Sequence, residues 1–236
     1  MDDNRATLPT SKTTDSVYRS LSANGYADLG RVLLPDACMV FRDMYAEDKP
    51  FRNTIRMRRF GFGEGEYKYF AYPLPGTLSL IREQLYGRLV ATANAWEAEL
   101  GTDRRFPASH RAFREECARA GQTRPTPLLL RYGPGDYNCL HQDIYGDHTF
   151  PIQAVILLSD PDSFDGGEFV LTEQRPRMQS RAEVVPLRQG HVVAFAVNDR
   201  PKPGKRGYYR VKQRHGVSTI RRGIRHTLGI IFHDAP

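Results

Sequence analysis

Beyond Gly121 the chain breaks into short apolar runs, "TPLLLRYG", "QAVILLSD", "GGEFVLTEQ", "AEVVPL", "HVVAFAV" and "HTLGIIFH", separated by turns rich in Gly, Pro, Asp and Asn. Runs this short read as strands, and strands that follow one another without intervening helices close into a sandwich or jelly roll, not a βαβ sheet. Upstream the periodicity is helical. A short helix is expected over 14–24 and another from Pro35 through "PDACMVFRDMYAED". A long one is expected over "GTLSLIREQLYGRLVATANAWEAELG", ending at Gly101, and one more between Pro107 and Gly121. "YADLGRVL" reads as a strand, and "GFGEGEYKYFAYPLP" as a hairpin or mobile flap. The expected class is α+β, mainly β: a double-stranded β-helix (jelly roll) supported by N-terminal helices. We expect a single domain over 1–236, with the helical support at about 14–121 and the β core at about 125–234.

Inside the β-rich part, "YNCLHQDIYGDH" (137–148) packs two histidines, two aspartates and a cysteine together. Such a run is compatible with a metal site, a nucleophile with its base, or a polar loop. On a strand, residues i and i+2 share a face, so His141 and Asp143 project together and offer one imidazole and one carboxylate. His215 in "QRHGVS" is the best third ligand. Two histidines and one carboxylate make the facial triad of non-haem Fe(II) oxygenases, which leaves coordination positions open. Arg225, at the start of an apolar strand, would grip a carboxylate through its planar fork, and Thr227 shares its strand face. His141, Asp143 and His215 are therefore the expected catalytic set as well as the expected ligands.

The motifs "RYGPGDYNCLHQD", "DGGEFVLTEQ", "PLRQGHVVAF" and "RHGVSTIRRGIRHTLGIIF" together resemble the core of the Fe(II)/2-oxoglutarate-dependent dioxygenases, prolyl-hydroxylase-like branch, over about 125–234. More closely, "QTRPTPLLLRYGPGDYNCLHQD" and "FVLTEQRPRMQSRAEVVPL" resemble a bacterial family labelled as oxygenases acting on damaged DNA by oxidative demethylation. The resemblance implies Fe(2+), 2-oxoglutarate and O2, with ascorbate as a supporting reductant. It implies iron ligation by His141, Asp143 and His215, 2-oxoglutarate binding by Arg225 with Thr227, and an aromatic at Tyr132 or Tyr137 beside the cosubstrate. The product would be a hydroxylated C–H bond, or formaldehyde and a demethylated base where the carbon is an N-methyl group. "RRGIRHT" is closer to the prolyl-hydroxylase type than to the longer Arg/Asn signature of nucleic-acid demethylases.

Charge bears on the substrate. Of the overall +7, residues 175–225 carry +12: eleven Arg and three Lys against Glu183 and Asp199, leaving −5 elsewhere. "RNTIRMRR" (52–59) is a second basic run. This asymmetry suits an anionic substrate or nucleic acid, with "EQRPRMQSR", including Arg175 and Arg177, and "RPKPGKRGYYR" as loops near the metal mouth. Tyr67 and Tyr69, with Phe70, Tyr72, Tyr208 and Tyr209, are candidates to stack a base or line a peptide groove, or to pack as core. A protein side chain and a small molecule compete as substrates. A cupin-like metalloenzyme without 2-oxoglutarate and a basic binding module with a vestigial site are the other classes.

His148 reads as a loop histidine, and His191, His226 and His233 as satisfied or surface histidines. Glu168 reads as a turn-shaping residue, Ser218 as no nucleophile for want of a Gly-x-Ser-x-Gly elbow, and Cys139 as a buried thiol on the His141 face. The three cysteines are odd in number and scattered, so reduced thiols are expected. No run reaches the roughly 20 apolar residues that span a bilayer. The polar start "MDDNRATLPTSKTTDS" has no signal-peptide core, and a cytoplasmic location is expected.

Overall fold

The computed structural model describes residues 13–236, so most of that polar start lies outside the described residues. The helices fall where periodicity places them: α1 (Thr14–Asn24), α2 (Pro35–Asp43), α3 (Gly76–Glu99) and α4 (His110–Arg119). Caps fix the ends. The Thr13 side chain accepts from Ser16 N, the Ser109 side chain accepts from Ala112 N, and Gly25 closes α1 in the left-handed region. No helix among the described residues is long and apolar enough to cross a membrane.

Among the described residues, fifteen strands and three short 3-10 turns make up the remaining regular structure. The strands are β1 (Tyr26–Arg31), β2 (Phe51–Arg56), β3 (Gly63–Glu64), β4 (Glu66–Phe70), β5 (Leu128–Tyr132), β6 (Tyr137–His141), β7 (Ile152–Leu157), β8 (Phe164–Gly166), β9 (Phe169–Gln174), β10 (Arg181–Val185), β11 (His191–Ala196), β12 (Asp199–Gly204), β13 (Gly207–Val217), β14 (Ile220–Gly223) and β15 (Arg225–Ile230). The larger sheet runs β1-β11-β7-β15-β5-β4-β2 and the smaller one β10-β9-β13-β6-β3, with β12 on β13 and a separate β8–β14 pair. All these pairings are antiparallel, which makes the fold a double-stranded β-helix backed by helices.

Strand parity partitions the large sheet. On β7 and β11, Ile152, Ala154, Ile156, Val192, Ala194 and Ala196 join the cluster with Leu21, Leu85, Leu89 and Trp96 of the helices. Val155, Val193 and Phe195 point the other way, toward Phe169 and Leu171 of the small sheet. On β15, Leu228 and Ile230 face the helices, so Arg225 and Thr227 face the gap between the sheets.

Three expectations change. The segment 14–121 is not purely helical support, because β1 and β4 complete the large sheet. The glycine-rich "GFGEGEYKYF" is not a hairpin: β3 pairs with β6 in the small sheet, while β4 lies between β2 and β5 in the large one. "RPKPGKRGYYR" is not a loop but the β12–β13 hairpin. Pro201 and Pro203 are tolerated there because β12 pairs only with β13, so a missing N–H costs no ladder bond on its free side.

The α3 stripe sets a stability test. Leu85 is fully buried against the large sheet, whereas Leu80 on the same helix is exposed. Leu85→Ala is expected to cost about 2–5 kcal/mol in urea denaturation. Leu80→Ala is expected to stay within about 0.5 kcal/mol.

Candidate active site

The gap between the two sheets holds a cavity of about 190 Å³. Its small-sheet wall carries His215 on β13, directly across from His141 at the end of β6. Asp143 follows just beyond β6, and its carboxylate bridges both rings. Asp143 Oδ1 lies 3.5 Å from His141 Nε2, and Oδ2 lies 3.3 Å from His215 Nε2. The three side chains offer donor atoms within 4.8 Å of one another. His141 Nδ1 lies 2.8 Å from the Cys139 carbonyl. A carbonyl only accepts, so Nδ1 carries a proton and Nε2 is the nitrogen turned toward Asp143. His215 is held between Phe195 and His141, with ring centroids 4.8 and 4.1 Å away.

The electrostatics of the cluster are mutual. Burial pushes the Asp143 carboxyl up, but hydrogen bonds and charge from both histidines outweigh it and hold the group well below the usual range. Burial disfavours the His141 imidazolium, yet Asp143 brings its pKa out above the ordinary value. His215 is lowered by burial and by the His141 charge.

The large-sheet wall carries Arg225, which is buried and pairs across to Tyr132 in the ladder. Burial lowers its pKa to about 10, with Tyr132 and Glu168 opposing, so it remains a cation at neutral pH. Among the described residues no carboxylate forms an ion pair with it, and its Nη1 has no hydrogen-bond partner. Thr227 lies beside it on the strand, and Tyr132 stacks under the guanidinium at 5.8 Å. Leu128, Leu130, Val155, Phe169 and Val217 close the walls with apolar surface.

Residues 65–235 match the model of a family described as "Oxygenase, catalysing oxidative methylation of damaged DNA". The chain belongs to this family. Two Mycobacterium tuberculosis proteins described as uncharacterized, from strains CDC 1551 / Oshkosh and ATCC 25618 / H37Rv, are each 43% identical over 198 residues, covering 79% of this chain and 85% of theirs. Among solved structures, a Pseudomonas putida prolyl-4-hydroxylase is similar at TM-score 0.55 and 14% identity, over 95% of this chain and all of its own. An oxidoreductase of the 2OG-Fe(II) oxygenase family from Burkholderia pseudomallei matches at TM-score 0.53 and 16% identity, covering 96% of this chain and 94% of its own. At such identities the likeness is one of fold, and the oxygenase family therefore shares its jelly roll with these enzymes.

The structure brings His141, Asp143, His215, Arg225, Thr227, Tyr132, Tyr67 and Tyr69 to one cavity. Tyr137 is not among them. The β6–β13 register slips between Val217↔Asn138 and His215↔His141, so three steps on β6 oppose two on β13. This bulge turns Asn138, not Cys139, to the His141 side. Tyr137 and Cys139 are left exposed, contrary to the expected buried thiol. Cys38 and Cys117 are buried and free. Arg175 and Arg177 are in the β9–β10 turn and do not line the cavity; Arg175 pairs with Glu173 at 2.6 Å. Of the basic C-terminal segment, Arg225 is the one cation in the cavity lining. Arg200 and Lys202 share Glu173, and Arg221 pairs with Asp165.

Of the aromatics, Phe70 packs in the helix-side core and the Tyr72 hydroxyl donates to Asp234. His148 lies in a loop beside Arg104, His191 faces Asp28, His226 packs on Tyr45, and His233 is buried and accepts from Phe150 N. Ser218 donates to Glu168, whose N–H bonds back to the Ser218 hydroxyl. Tyr145 went unread in the sequence. Its hydroxyl donates to Asp143 Oδ1 at 2.8 Å, and Tyr69 OH lies 3.2 Å further on. It continues the i, i+2 series of His141 and Asp143, which is the signal that locates it.

A buried cation without a counter-charge is held at a cost. Arg225→Met, of similar length and apolar, is expected to leave the thermal midpoint of the ligand-free protein unchanged or higher, measured by circular dichroism.

Proposed function

We propose that this chain is an Fe(II)- and 2-oxoglutarate-dependent dioxygenase whose substrate is a methylated or damaged base in nucleic acid. The observation that carries the reading is a pairing across one cavity: two imidazoles and a carboxylate on the small sheet, and an unpaired buried guanidinium on the large one. The N, N, O donor set suits ferrous iron with positions left open. The free Nη1 of Arg225 suits a dicarboxylate, and Thr227 adds a hydroxyl beside it.

When bound, iron couples conversion of 2-oxoglutarate and O2 into succinate and CO2 to insertion of an oxygen atom into a substrate C–H bond. The chain's residues do the rest. His141, Asp143 and His215 would hold the metal on one side. Tyr145 fixes the Asp143 rotamer by donating to Oδ1. Arg225 would hold the far carboxylate, and the apolar walls exclude water. Oxygen insertion into an N-methyl group gives an N-hydroxymethyl group, which releases formaldehyde and leaves the base demethylated. The family description favours DNA as the substrate.

The test is succinate formation from 2-oxoglutarate with ferrous iron, ascorbate and O2. Wild-type protein is expected to turn over, and chelation or Asp143→Ala to abolish it. Arg225→Lys is expected to raise the 2-oxoglutarate requirement far more than the iron requirement, because a point charge cannot replace the fork. No succinate from wild-type protein, with or without methylated oligonucleotide, sinks the reading. Tyr145→Phe is expected to weaken Mn(II) binding about 10- to 100-fold by calorimetry.

A further inference from the structure

The short 3-10 turn Met57–Phe60 and the residues just after it carry two phenyl rings outside every hydrophobic cluster of the described residues. Phe60 is 57% exposed and Phe62 45%. Their rings stack on each other, with centroids 5.5 Å apart and planes 20° apart. Two phenyls held against water and against each other, without a core to cover them, mark a surface built for contact.

The backbone fixes this pair. Gly61 adopts φ +70, a left-handed turn that sets Phe60 and Phe62 side by side. At Gly63 a Cβ would come within 2.4 Å of the Tyr137 carbonyl, so glycine lets the segment lie directly on β6. Cys139 N donates to the Phe62 carbonyl at 2.8 Å. The pair is thereby clamped to the strand that ends in His141, and Phe62 itself lines the cavity.

Arginines surround it. Arg56, Arg58 and Arg59 are exposed on the same short stretch. Arg58 meets Glu64 at 3.4 Å and Arg56 meets Glu66 at 3.6 Å, both loose surface pairs that a phosphate can displace. Arg59 makes no ion pair among the described residues.

We propose that the Arg56–Phe62 segment is a stacking platform for single-stranded nucleic acid at the mouth of the cavity. This rests on the oxygenase reading above and names the form of its substrate. A base that enters the enclosed cavity has left its stack. Its neighbour then finds a flat aromatic face on Phe60, while Arg58 and Arg59 take the adjoining phosphates. Flat phenyls with adjoining arginines fit a strand of bases and phosphates, and they do not fit an apolar peptide, which would leave the guanidinium groups without partners.

Fluorescence anisotropy tests this with a labelled oligodeoxythymidine of about 12 nucleotides and the same strand in duplex. Wild-type protein is expected to bind the single strand more tightly than the duplex. Phe60→Leu, apolar but not flat, is expected to weaken single-strand binding roughly tenfold, and Phe60→Trp to restore it. Arg59→Ala is expected to lower the slope of log affinity against log salt by about 0.7. Thermal melts of each variant establish that it is folded. The platform is overturned if Phe60→Leu binds like wild type, if the duplex binds as tightly as the single strand, or if a proline-containing peptide binds at low salt where the oligonucleotide does not. These measurements need no turnover. Failure to form succinate overturns the oxygenase reading separately, and failure of the anisotropy series overturns only the platform.

Discussion

An apolar jelly-roll cavity is a costly place for polar and ionised groups, and this one is lined by a carboxylate, two imidazoles and a guanidinium. Its two charged clusters solve the problem differently. Asp143 is compensated on the spot by His141, His215 and the Tyr145 hydroxyl, so the small-sheet wall is internally neutralised. Arg225 is not compensated. Its Nη1 remains without a partner on the opposite wall. The asymmetry leaves a compensated carboxylate on one wall of the cavity facing an unpaired cation on the other.

The rest of the fold serves that arrangement. The helices and the outer faces of β7, β11 and β15 form a large apolar cluster that makes the big sheet a rigid backing for Arg225 and Thr227. Phe169, Leu171, Val193 and Phe195 fill one side of the gap between the sheets, and Tyr67, Tyr69 and Tyr132 fill the other. The cavity is what remains between these fillings. The chain crosses from the small sheet at β3 to the large sheet at β4 just after the exposed phenyl pair, which ties that segment to both walls.

Local chemistry accounts for what the sequence revealed of this. The i, i+2 relation put His141 and Asp143 together, and their side chains do meet just past the end of β6. The same relation put Arg225 with Thr227 on a regular strand. It failed one step earlier, at Tyr137 and Cys139, because pairing with β13 inserts a bulge that reverses the alternation. A bulge is set by the partner strand, and β13 lies some seventy residues away in the chain. Within the basic segment, Glu173 takes Arg200 and Lys202, and Asp165 takes Arg221, through pairs whose members are distant in sequence.

By itself, then, the sequence determined the class of the fold, the four helices, and the donor types at His141, Asp143, His215 and Arg225. These follow from periodicity and from side-chain chemistry, which are properties of a residue and its near neighbours. Only the tertiary structure decided that His215 sits opposite His141, that Arg225 faces them from the other sheet without a counter-ion, and that Phe60 and Phe62 stand exposed and stacked on each other. Those depend on strand register and on which sheet each strand joins. Both are fixed by burial summed over the whole core, not by any local run of residues.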